Sequence, residues 1–391
     1  MALLIRRGQI YTSDQLFQDG ALLIAGERIA GVGSEENLGT LTRVSSEIDA
    51  GNRFVLPGFI DIQVNGAGGS LFTDDPTIRT LEVMSGVLAS YGCTSFLPTV
   101  ISTDSERIVA ALTAVNQAMR QDLPGASILG CHLEGPFINS EQAGVHSIDS
   151  IRLPSPKEFS KWMDTACGAI KLLTIAPELP GTAALIEEAL RWGVTVAAGH
   201  TTANYAQIMD AKQRGVNLVT HIFNAMGEMR SREPGTAGAA LTMDGLSVTL
   251  IADGFHIHPA MLELVVRAKG TQDIILISDA MPPLGTDMSH FELYGKRVDV
   301  HNGQCLTRDN KLAGSVLSMD RAVYNMHQLT DLTLAQTISM ATINPARIIH
   351  AEKEFGTLEK GKMANLLICD SHLNVDLVLV AGRIVYRSTA F

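Results

Sequence analysis

No stretch of this chain approaches eighteen uninterrupted apolar residues, so no transmembrane helix is expected. Aromatic residues make up only 5% and charged residues 18%, against 46% hydrophobic. That balance argues against a disordered chain and predicts a sizeable core of mostly small aliphatic side chains. Positive charge is scarce too: 30 Lys and Arg stand against 41 Asp and Glu, a formal net charge of -11. An overall nucleic-acid footprint is thereby disfavoured, while a local basic pocket for a small anion is not. Cysteines are few and never form a C-x-x-C pair; Cys93, Cys131, Cys167, Cys305 and Cys369 read as reduced, mostly buried thiols of a cytoplasmic protein. The apolar part of the opening "MALLIRRGQIYTSD" is too short for a signal peptide. No G-x-G-x-x-G follows the early strand-like runs, which removes the main support for a doubly wound open sheet.

What is present falls into two textures. Residues 1–56 and 351–391 carry short alternating runs such as "GALLIAGERIAGVG" and "DLVLVAG", broken by Gly, Asp and Asn. Neither end can bury a core alone, so the two are expected to pair into one small composite β-domain, a β-sandwich. Residues 57–350 instead alternate apolar β-branched runs with amphipathic segments: "GFIDIQV", "CTSFLPTV", "ASILGCHLE", "AIKLLTIAP", "GVTVAAGH", "VNLVTHIF", "LSVTLIAD" and "DIILISDA". Runs buried on both faces, each followed by a helix, predict a parallel sheet. Eight of them fit a (β/α)8 TIM-type barrel.

In such a barrel the carboxyl ends of the strands face the active site. Those ends carry Asp61 and Gln63, Thr99, His132 and Glu134, Glu178, His200, His221 and Asn224, Asp253 and His256, and Asp279. Taken singly, His200 could satisfy a turn, His221 could be a core histidine and Asp279 a helix cap. Taken together, two histidines and a glutamate ending three strands make the N2O set that catalytic zinc uses, with a position left for water.

Several segments in order, "PGFIDIQVNGAGG", "HLEGPFIN", "AGHTTA", "THIFNAMGEMRSREPG", "ADGFHIHP", "ISDAMPPLGT" and "KLAGSVLSM", resemble the N-acetylglucosamine-6-phosphate deacetylases of the amidohydrolase superfamily. The resemblance spans nearly the whole chain. It implies that Glu134, His200 and His221 hold one divalent metal ion per subunit, zinc first, with iron or cobalt compatible with the same donors. It implies that Asp279 is the acid–base group and that His146, in Gly144-Val145-His146, meets the acetamide or sugar. Asn224, Ala225, Arg232 and His256 are implied to hold the sugar phosphate, and Leu312, Ala313 and Gly314 to form a loop closing over substrate. Most of the superfamily ends the first strand with His-x-His for a second metal. Here Gln63-Val64-Asn65 stands there, so a binuclear site is not expected, and Gln63 falls with the substrate-binding positions, as does Val145. Lys171 is expected to be a barrel or interface lysine. The implied partner is a phosphosugar and the implied assembly a homodimer, with no nucleic-acid or membrane partner. A different amidohydrolase, a metal-free scaffold and a phosphosugar-binding regulator are the rival readings.

Overall fold

Eight short strands run parallel in sequence order: Phe59–Val64, Cys93–Ile101, Cys131–Glu134, Ile170–Ile175, Thr195–Ala198, Leu218–Val219, Ser247–Leu250 and Ile274–Leu276. They belong to a computed structural model that describes residues 2–38 and 44–391. Every residue of the first two strands is buried. One face fills the barrel and the other meets the helices, which is why these strands read as continuous apolar runs. The ring closes where Val64 bridges Ala280 and the Asp279 N–H donates to the Gln63 carbonyl at 3.0 Å. Helices start on local signals. The Ser155 side chain accepts from the Glu158 N–H ahead of Pro156, and Asn204 with Gln207 forms a capping box. The chain is therefore a TIM-type barrel, as its strand pattern predicts.

The end segments share one further sheet. Ala2–Tyr11 pairs with Leu16–Ala25 and with Phe54–Pro57, and Leu366–Cys369 pairs antiparallel with Phe54–Pro57. Period-2 alternation divides the last of these strands between two cores. Leu366 and Ile368 pack with Ile5, Leu22 and Val55 inside the sheet's own cluster, while Leu367 and Cys369 join the barrel core. A one-residue slip would exchange the two sets, so burial on both faces holds the register.

One element departs from expectation. Leu312, Ala313 and Gly314 do not lie in a loop; they belong to Leu312–Ser315, the last strand of a four-stranded sheet with His290–Leu293, Lys296–His301 and Gln304–Thr307. Ser315 N–H donates to the Asp279 carbonyl at 3.0 Å and Met281 N–H to the Ser315 carbonyl at 2.9 Å, tying this inserted sheet to the end of the eighth barrel strand.

Candidate active site

The third strand ends at Glu134, fully enclosed, and its Oε1 lies 2.9 Å from His221 Nε2 and 3.3 Å from His200 Nε2. The two Nε2 atoms are 3.2 Å apart, and one ligand atom from each of the three residues falls within 4.8 Å of the others. His200 Nδ1 lies 2.8 Å from the Gln142 carbonyl. A carbonyl only accepts, so Nδ1 carries the hydrogen and Nε2 of the neutral ring presents its lone pair inward. A bare imidazole nitrogen crowded against a second imidazole and a carboxylate oxygen is a donor set that suits a cation. Burial raises the Glu134 carboxyl, but the adjoining imidazoles of His200 and His221 outweigh it and hold the group well below the usual range. A carboxylate kept ionised in that setting is the form a metal needs.

Where these strands run out the backbone is strained. His200, His221 and Asp279 have φ of 49, 31 and 50°, and Phe223 and Ala225 also have positive φ. Non-glycine residues enter that region at a cost of order 1–3 kcal/mol each, and such outliers cluster where function demands a particular side-chain aim.

Gln63 and Asn65 line up beneath. Gln63 Nε2 donates to Glu134 Oε1 at 2.9 Å and to Asp279 Oδ1 at 3.1 Å, and Asn65 Nδ2 donates to Asp279 Oδ1 at 2.7 Å. Asp279 keeps some solvent contact but is enclosed by protein. Burial, followed by repulsion from Glu134, raises it to about 6. His146 is turned by its other nitrogen: the Ser102 N–H donates to Nδ1 at 3.2 Å, so the neutral ring carries its hydrogen on Nε2, which lies 3.8 Å from Glu134 Oε2. Burial lowers His146 to about 3, leaving it neutral.

These groups open onto a cavity of about 490 Å³ whose wall also includes Val145, Asn224, Ala225, His256, Leu312 and Gly314. His256 Nδ1 lies 2.7 Å from Asp253 Oδ2, and Asn224 Nδ2 donates to the His221 and Ile222 carbonyls. Three expected site residues are placed differently. Gln63 is buried beneath Glu134 and Asp279 and is not part of the cavity wall. Ala313 is buried beneath the inserted sheet, because alternate residues of its strand point away from the cavity. Arg232 is exposed on the loop after the sixth strand and does not line the cavity; nearby, Arg230 pairs with Glu228 at 2.8 Å. Other strand-end polar groups are structural. His132 lies between Thr99 and Thr174 inside the barrel, and Glu178 accepts from Asn139, Thr201 and Thr202. Sequence reasoning missed Asn65, Glu141, Gln142 and Lys311 on the wall. Only Asn65 carried a local signal, sharing the face of Gln63 two residues along a strand.

Fold and site together define a barrel enzyme whose strand ends converge on a candidate cation site. The Amidohydrolase family model matches residues 54–385, and the chain belongs to that family. It is 35% identical over 391 residues to N-acetylglucosamine-6-phosphate deacetylase of Bacillus subtilis (strain 168), covering 99% of this chain and 98% of that one. It is 36% identical over 335 residues to N-acetylgalactosamine-6-phosphate deacetylase of Shewanella sp. (strain ANA-3), covering 85% and 84%. A crystal structure of N-acetylglucosamine-6-phosphate deacetylase from Pasteurella multocida matches with a TM-score of 0.93 at 30% identity, covering 99% of this chain and 100% of that chain.

Proposed function

We propose that this enzyme hydrolyses the acetamide of N-acetylglucosamine 6-phosphate, giving glucosamine 6-phosphate and acetate. The observation that carries the reading is the placing of Asp279 and His146 around Glu134, His200 and His221 in one cavity. The names and coverage of the relatives supply the substrate class.

A single divalent ion, zinc by its liking for two imidazoles and a carboxylate, would be held by Glu134, His200 and His221. When bound, it supplies Lewis acidity that makes water a nucleophile at neutral pH. Asp279 takes the proton that water loses as its oxygen attacks the acyl carbon, and returns it to nitrogen as the C–N bond breaks. Gln63 and Asn65 hold the Asp279 carboxylate in place. His146 Nε2–H donates to the oxygen that gains charge on the acyl carbon. Asn224, Ala225 and His256 take the sugar phosphate, while Val145, Leu312 and Gly314 frame the ring. Gln63 acts from beneath through Glu134 and Asp279. Ala313 supports that strand from its buried side, and Arg232 has no part at the cavity of its own chain in this arrangement.

The rest of the assignment is coarser. Residues 1–56 with 351–391 would form the small domain beside a barrel of residues 57–350, supported by their shared sheet. No helix among the described residues is long and apolar enough to cross a membrane. Free cysteines, four of them buried, suit a reducing cytoplasm. The family resemblance supports a homodimer.

The 36% identity to an N-acetylgalactosamine-6-phosphate deacetylase favours the C4 epimer as a second reading. Acetate release from the two phosphosugars and from unphosphorylated N-acetylglucosamine tests all of this. Preference for the glucosamine epimer supports the proposal; preference for the other supports the second reading, and release from neither overturns both.

A further inference from the structure

Asn65 is 3% exposed and lines the cavity. Its backbone is fixed on both sides, donating to the Ala280 carbonyl at 2.9 Å and accepting from the Phe72 N–H at 2.9 Å. Its side chain is fixed by the 2.7 Å bond from Nδ2 to Asp279 Oδ1. A flipped amide would set two acceptor oxygens against each other there, so Oδ1 must be the free end. That Oδ1 is buried and has no hydrogen-bond partner among the described residues. Buried acceptors are rarely left unsatisfied, and those that are call for a donor arriving from elsewhere.

We propose that Asn65 Oδ1 accepts the N–H of the scissile amide and holds that nitrogen over Asp279. The proposal rests on the amide-hydrolysis reading and adds a substrate contact to it. An amide nitrogen has one N–H and no basic lone pair until the acyl carbon becomes tetrahedral. Anchoring the N–H on Asn65 turns the emerging lone pair towards Asp279, the residue to which Asn65 is itself bonded. In the completed step a C–O bond forms and a water O–H bond breaks, with the proton passing to Asp279. The C–N bond then breaks, its electron pair stays on nitrogen, and Asp279 protonates it. Asn65 neither gains nor loses a proton, as a neutral amide oxygen should not. It also separates amides from esters, since an ester has no N–H to offer.

The test compares the N-acetyl sugar phosphate with the 2-O-acetyl sugar phosphate, an ester of the same shape, in wild type, Asn65→Ala and Asn65→Ser. The expected result is an amide kcat that falls roughly ten- to hundred-fold further than the ester kcat, the scale of a lost buried hydrogen bond, while the ester loss alone reports the missing brace on Asp279. The amide-to-ester ratio within one preparation does not depend on the folded fraction, so a poorly folding variant still reports. Equal losses on both substrates would overturn the contact and leave Asn65 as a brace for Asp279. Unchanged amide turnover would overturn it as well. A wild-type enzyme that cleaves the ester and not the amide removes the underlying reading, and the proposal with it.

Discussion

The Ser102 N–H donates to His146 Nδ1 at 3.2 Å, with the Ser102 hydroxyl 2.8 Å from the same nitrogen. A backbone N–H cannot accept, so this one contact decides which tautomer faces the cavity. A neutral imidazole with Nε2–H pointing inward is an electrophile, not a base. Replacing His146 with Ala should lower kcat by about 10²–10³-fold, the scale of one lost oxyanion donor. Metal content and thermal melting should change little. Steady-state kinetics on metal-replete protein, showing kcat within about three-fold of wild type, would count against the role.

Asp279→Asn keeps the size of the group and can still bond Gln63 and Asn65, but it cannot carry a proton. Turnover should fall by about 10²–10⁴-fold or more, while bound metal and substrate affinity persist. If Asp279 only braced the turn that follows it, melting temperature would drop and kcat would hold.

His256 lines the cavity with its ring fixed by Asp253, whose carboxyl, despite burial, is held below its ordinary range by His256. His256→Ala should raise KM for the phosphorylated sugar roughly ten-fold or more, the scale of a lost charge-assisted contact. It should hardly alter use of the unphosphorylated sugar. Equal losses on both would place His256 in the fold and not at the phosphate.

Asp61 is fully buried, with Oδ2 unpartnered among the described residues, and burial raises it to about 7. The folded protein therefore holds this proton more tightly than the unfolded chain. Stability present below about pH 4 should fall as pH climbs through 7. The effect is on the order of 4 kcal/mol if the whole shift is expressed. Asp61→Asn removes the penalty, so its melting temperature relative to wild type should rise between pH 4 and pH 7 and level off above. A difference that stays flat with pH would show that Asp61 is ionised in the fold.

Gly314 has φ of 62°, and a Cβ there would lie 2.5 Å from Met281 Cγ and 2.9 Å from the Asp279 carbonyl. Gly314→Ala is expected to push the inserted strand off the eighth strand's end and cut kcat/KM by ten-fold or more, as small displacements near the chemistry do. Kinetics beside a melting curve check this; full activity would mean that the strand can shift freely.

The barrel was legible because strands buried on both faces leave apolar runs no helix surface would tolerate, and because Glu134, His200, His221 and Asp279 all follow such runs. The inserted sheet lies outside the eight-run barrel pattern, although its turns are signalled in the sequence. Tyr294-Gly295 and Asn302-Gly303 are two-residue connections with positive φ throughout, and Asn-Gly between alternating residues is a strong hairpin mark. Arg232, expected at the phosphate from its place in the family-like "REPG" segment, is exposed on its loop and does not line the cavity of its own chain. Lys311 and Gln142 reach the cavity only through the fold, and no local pattern marks them.

Most directly decisive is one preparation in which bound metal and acetate release are titrated together against added zinc, with N-acetylglucosamine 6-phosphate as substrate. Acetate release should rise in step with the first ion per chain and saturate there, and Glu134→Gln should lose both. Saturated metal with no acetate, or activity that waits for a second ion per chain, would contradict a single-metal deacetylase built on Glu134, His200 and His221.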